Sequence, residues 1–79
     1  MSDLLDQMRR NPRGDWTMQD IVRVCAEHDL VCSAPKRGSH YKVSRPGFAT
    51  ILTIPFKRPV KPVYIRLLIQ LIDGRGHSL

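Results

Sequence analysis

Near the N-terminus Leu4, Leu5 and Met8 share one helical face, with Asp3 and Asp6 in the first turn and Arg9 and Arg10 in the last. That charge order complements a helix dipole. Asn11-Pro12-Arg13-Gly14 then breaks the helix. Thr17 is a suitable N-cap for a second helix, with Asp20 at N3 in a variant of the capping box. Ile21, Val24, Cys25 and His28 fall at i, i+3, i+4 and i+7, predicting a helix from about Met18 to His28. Trp16, just before the cap, is expected to pack back as a staple, and His28 to be a partly buried core residue.

After Leu30 the period changes from helical to alternating. Leu30, Cys32 and Ala34 fall on one face of a short strand, and Val31 and Ser33 on the other. Pro35-Lys36-Arg37-Gly38 reads as a turn, and residues 39–44 as a second strand with Tyr41 and Val43 inward and His40, Lys42 and Ser44 outward. Arg45-Pro46-Gly47 turns the chain again. The β-branched run Thr50 to Ile54 predicts a third strand, with Leu52 and Ile54 inward. Pro55, Pro59 and Pro62 space out a stiff loop, Pro62 opens a last helix, and Gly74 stops it. Tyr64, Leu67, Leu68, Leu71 and Ile72 are expected to form its apolar stripe. Residues 75–79 are expected to fray.

The order α-α-β-β-β-α predicts an α+β domain: a three-stranded antiparallel sheet packed against helices, in two layers. With 79 residues there is room for one small domain (1–79) and none for a separate cofactor domain. No stretch approaches the ~20 apolar residues of a membrane span. The start Met1-Ser2-Asp3 has no basic region leading into an apolar block, so no signal peptide is expected. Cys25 and Cys32 could form at most one disulfide; a cytoplasmic, reduced protein with both packed as small hydrophobes is expected.

The net charge of +6 is unevenly placed. Residues 1–29 hold four bases and six acids, whereas residues 30–72 hold eight bases and no acid. A purely basic half is an electrostatic footprint for a polyanion, since solubilising surfaces usually mix both signs.

The segment Lys36-Arg37-Gly38-Ser39-His40-Tyr41-Lys42 carries the candidate chemistry. Gly38 permits a tight turn and close approach of a backbone, and Gly38 and Ser39 are expected to join Lys36, Arg37 and Lys42 in binding the RNA phosphate. An outward His40 ringed by Lys36, Arg37 and Lys42 could sit against a phosphodiester, taking a proton from a hydroxyl or giving one to a leaving oxygen while the cations stabilise the phosphorus oxygens. RNA suits this better than DNA because its 2′-hydroxyl is an internal nucleophile. No metal site is visible: Cys25, His28 and Cys32 lack a convincing zinc spacing. No cofactor is expected. A Ser39-His40 hydrolase pair fails, because adjacent strand residues point to opposite faces. The loop cations Lys57, Arg58 and Lys61 precede a helix N-terminus, an anion site in its own right, and would extend the phosphate track. The competing reading is a non-catalytic RNA-binding module in which His40 is a contact residue; a third is an interaction protein whose basic face meets an acidic partner.

The sequence resembles the HicA toxins of bacterial and archaeal toxin–antitoxin systems. The resemblance rests on Lys36-Arg37-Gly38-Ser39-His40-Tyr41, on Ile51-Leu52-Thr53-Ile54-Pro55, on Lys61-Pro62 leading into an apolar helix, and on Gly14-Asp15-Trp16 with the helix behind it. It covers about residues 16–73, leaving 1–13 as an N-terminal helical extension that would cap the sheet or meet the antitoxin. It implies a fold similar to double-stranded-RNA-binding domains. It also implies an endoribonuclease acting on messenger RNA with His40 as the catalytic residue, and a HicB antitoxin that occludes that histidine and represses the shared operon. Many members carry another histidine shortly after the Ile-Pro segment, where this chain has Phe56-Lys57-Arg58.

Overall fold

The computed structural model describes residues 4–74. The elements are α1 (Leu4–Arg10), α2 (Met18–Glu27), β1 (Val31–Ser33), β2 (His40–Ser44), β3 (Ile51–Pro55) and α3 (Pro62–Asp73). This is the α+β order expected from the sequence, with an antiparallel meander β1-β2-β3. Asp3 and the tail 75–79 lie outside the described residues, and with them the frayed end.

Register follows the alternation of side chains. Cys32 pairs with Val43 and Val43 with Leu52, while Tyr41 pairs with Ile54. These residues form the inner face, on which Val43, Leu52 and Ile54 are buried. Val31–Ser44–Ile51 and Ser33–Lys42–Thr53 form rows across the outer face, and His40 stands opposite Pro55 at its end. A slip of one residue would invert both faces. The Arg45–Phe48 turn is closed by the Phe48 N–H on the Arg45 carbonyl at 2.9 Å. Gly47 there takes φ +87°, which favours glycine.

Helix α2 begins as its sequence requires. The Thr17 hydroxyl accepts from the Asp20 N–H at 3.3 Å, and the Asp20 carboxylate accepts from the Thr17 N–H at 2.9 Å. Met18, Ile21, Val24 and Cys25 enter the core, and Trp16 packs against it half-buried. His28 departs from expectation: it is the exposed C-cap, not a core residue. The helix ends at Glu27 and Asp29 turns to φ +60°, so the i+7 position no longer lies on the apolar face. The Leu30 N–H bonds back to the Cys25 carbonyl at 2.9 Å and delivers Leu30 into the core instead.

The stripe of α3 is also rotated from the expected one. Ile65, Leu68 and Leu71 are fully buried; Tyr64, Ile69 and Ile72 are half-buried, and Leu67 is 40% exposed. Nearly every α3 position is apolar, so periodicity alone does not select a face. Packing against both α1 and β3 centres the arc on Ile65 and Leu68. Helix α1 is no appendage, because Met8 is completely buried beside Leu5 in the common core. It packs on α2 and α3 rather than capping the sheet. Arg9 clamps the Asp73 carboxylate with both terminal guanidinium nitrogens, Nη1 to Oδ2 at 2.7 Å and Nη2 to Oδ1 at 2.5 Å, tying α1 to the end of α3.

Candidate nucleic-acid interface and active site

The strand β1 stops at Ser33, paired with Lys42 and two positions short of His40. The vacated edge is filled by the loop that returns the chain to β2, turned by Gly38 at φ +82°. That loop brings Lys36 and Arg37 to the same hollow as His40 and Lys42, a depression of about 410 Å³ floored by Ser33, Ala34 and Pro35. Strict alternation in β2 puts His40 and Lys42 on one face, and both are exposed. The histidine and the three cations singled out around it are therefore assembled by one short strand and one turn.

On its other side His40 borders a second hollow of about 320 Å³, shared with Ser39, Pro55, Phe56, Lys57, Lys61 and Tyr64. Lys61 is the N-cap of α3, and Pro62 occupies its first turn without a side-chain cap, so the positive end of that helix opens beside the hollow. His40 thus stands on the partition between two basic depressions. Lys36, Arg37, Lys42, Lys57 and Lys61 are all exposed. None has a carboxylate partner among the described residues, and no acid lines either hollow. Their field adds up over a small area instead of being neutralised locally.

Not every cation joins them. Arg58 turns away to Asp15 (Nη2 to Oδ2, 3.2 Å) and lines a different hollow with Thr17 and Gln19. It does not extend the track at His40, because Asp15, close by the start of α2, holds its guanidinium. The Arg58–Pro59 peptide is cis, and the loop is anchored beyond it by the Val60 N–H on the Trp16 carbonyl at 2.8 Å. Arg45 is structural as well: its Nη1 donates to the Leu71 and Ile72 carbonyls at 3.0 and 2.8 Å, closing the C-terminus of α3. The guanidinium also lies 4.4 Å over the Phe48 ring.

Gly38 and Ser39 serve the site through the backbone. The Ser39 carbonyl accepts the Phe56 N–H at 2.5 Å, fastening the start of β2 to the residue after β3 and setting the mouth of the second hollow. Phe56 and Tyr64 were not singled out as site residues by the sequence. An aromatic residue wedged between Ile54-Pro55 and three cations was the available signal.

The thiols take no part. Cys25 is buried between α2 and the sheet, and desolvation pushes its pKa up from 9.0 to about 12; Cys32 beside it is raised for the same reason. Both are free and neutral near pH 7. Among the described residues no three His, Cys, Asp or Glu side chains gather to hold a metal ion. Nor, among them, is any helix long and apolar enough to cross a membrane.

Fold and site together define a small α+β domain that presents one histidine on an open sheet face between basic hollows. No family model, curated protein or solved structure matches the chain.

Proposed function

We propose that this protein is an endoribonuclease cleaving messenger RNA without a metal ion, the toxin of a cytoplasmic toxin–antitoxin pair neutralised by a HicB-type antitoxin. One observation carries the catalytic reading. His40 is exposed where two hollows meet, each lined by cations and, among the described residues, by no acid. The resemblance of the Gly38-Ser39-His40 segment and the Ile54-Pro55 segment to HicA toxins supports the antitoxin partner, which would bind over His40.

A phosphate lying across the partition meets Lys36, Arg37 and Lys42 on one side and Lys57 and Lys61 on the other. The ribose 2′-oxygen attacks the adjacent phosphorus, the new O2′–P bond forms, and the P–O5′ bond breaks. The products are a 2′,3′-cyclic phosphate and a 5′-hydroxyl end. One proton must leave the 2′-hydroxyl and one must reach the departing 5′-oxygen. An imidazole can perform either transfer, as base in the first case or acid in the second. The ammonium and guanidinium groups stabilise the charge that builds on the non-bridging oxygens. Because the nucleophile belongs to the RNA, no metal-bound water is needed.

The test is cleavage of a labelled single-stranded oligonucleotide by purified parent and His40→Ala proteins. His40→Ala should cut roughly 10²–10⁴-fold more slowly, the range of general acid–base catalysis. Its thermal midpoint should stay unchanged, because substitutions at exposed positions cost within about 0.5 kcal/mol. A 2′-deoxy substitution at the cut site should abolish the reaction, and a chelator should leave it unaltered. A parent protein that binds RNA with a steep salt dependence, yet yields no product over hours, would instead be a non-catalytic RNA-binding module.

A further inference from the structure

The ring of Phe56 is 60% exposed, although apolar side chains of that size are normally covered. It is nevertheless held in place. Its N–H is bonded to the Ser39 carbonyl, and its ring packs against Tyr41, centroids 5.9 Å apart and planes tilted by 45°. Phe56 lines the hollow of His40 and also two further hollows that run on toward α2 past Gln19 and Arg23. The cations lining the three are Lys57, Lys61 and Arg23, together with Arg58, which is paired with Asp15, and among the described residues no carboxylate lines any of them.

An ordered aromatic face beside cations that carry no carboxylate partner, here Lys57, Lys61 and Arg23 among the described residues, is the combination by which proteins hold single-stranded nucleic acid. The ring stacks a base and the cations follow the backbone. A protein segment would leave the same cations without counter-charge unless it were itself acidic. A duplex could not engage Phe56, because its bases are already stacked on one another. We infer that Phe56 is a stacking platform for an unpaired base next to the phosphodiester at His40, so that the substrate is single-stranded RNA. This inference rests on the ribonuclease reading and specifies its substrate. Ser39 couples the two functions physically: its carbonyl fixes Phe56, and the next residue is His40.

The test uses the whole protein with His40→Ala as a non-cleaving background. Fluorescence anisotropy is measured with a labelled single-stranded RNA and with its duplex. Single strands should bind more tightly than the duplex at equal salt. Adding Phe56→Ala should weaken single-strand binding roughly tenfold to a hundredfold and leave duplex binding unchanged, whereas Phe56→Trp should retain it. In the cleaving protein Phe56→Ala should raise KM more than it lowers kcat. Circular dichroism of each variant should match the parent. Equal single-strand affinity with and without the ring, or preference for the duplex, overturns the inference while leaving cleavage by His40 standing. Loss of binding to a protein partner, with RNA affinity intact, overturns it too. If the parent neither binds nor cuts RNA, the ribonuclease reading itself fails.

Discussion

The two faces of the sheet are built from the same three strands and obey opposite rules. The inner rows, Cys32–Val43–Leu52 and Tyr41–Ile54, meet the helices and exclude water, and they contain no charge. The outer rows end in His40 at one side and centre on Lys42, and among the described residues no element covers them. Even the outer face is divided. Its far end carries Val31 and Ile51, 52% and 62% exposed, while every cation of the strands sits at the His40 end. In a domain with so little interior, one face secures folding and the other is released from it. Binding and chemistry can therefore occupy the outer face with little penalty in stability.

Adjacent residues of β3 give the sharpest contrast. Ile54 is completely buried and Thr53, next to it, is exposed. Ile54→Ala should lower unfolding free energy by about 2–5 kcal/mol through lost burial and the cavity left behind. That is a large part of the roughly 4–12 kcal/mol available to a domain of this length. Thr53→Ala should cost under about 1 kcal/mol, the span of strand propensity. Chemical denaturation of the two variants decides the matter; similar losses would mean that the outer face is covered in solution.

A smaller effect separates two cations three residues apart. Arg45 hydrogen-bonds two terminal carbonyls of α3 and covers Phe48, so Arg45→Met should destabilise the fold by about 1–2 kcal/mol. Lys42 has no such partner among the described residues, and Lys42→Met should leave stability within about 0.5 kcal/mol of the parent. It should instead weaken single-stranded RNA binding and reduce the slope of log K against log salt by about 0.7. Melting curves and salt titrations of both variants should show the two effects exchanged.

Much of this division was legible in the residues, and what was not has identifiable causes. Alternation placed Tyr41, Val43, Leu52 and Ile54 inward and His40 and Lys42 outward, because a period of two leaves a half-buried strand no freedom. Thr17 and Asp20 announced the start of α2 through local hydrogen bonds that any sequence window contains. Leu67 was misplaced because α3 is apolar almost all round, and only its neighbours decide which arc is buried. His28 followed the period past the end of its helix. The basic run of residues 30–72 could not be sorted into free and engaged cations, since the partners of Arg45 and Arg58 are 26 or more positions away in sequence. Phe56 lay just beyond a strand, where alternation no longer specifies direction.

The smallest effect tests how dry the inner side is. Cys25 of α2 faces Cys32 of the inner sheet face, and burial raises its pKa from 9.0 to about 12. The unfolded chain then loses this thiol proton at a lower pH than the folded one. Between those two values the folded state binds more protons, so stability falls as pH rises; below about 9 the contribution is fully present. One proton sets an upper limit of ~1.4 kcal/mol per pH unit. Tyrosines and lysines titrate in the same window, but they are common to parent and variant. Cys25→Ala should therefore show a shallower decline in unfolding free energy between about pH 9 and pH 10.5 than the parent, both under reducing conditions. Parallel declines would mean that water reaches the thiol, and that the helix-covered face is less distinct from the open one than its packing indicates.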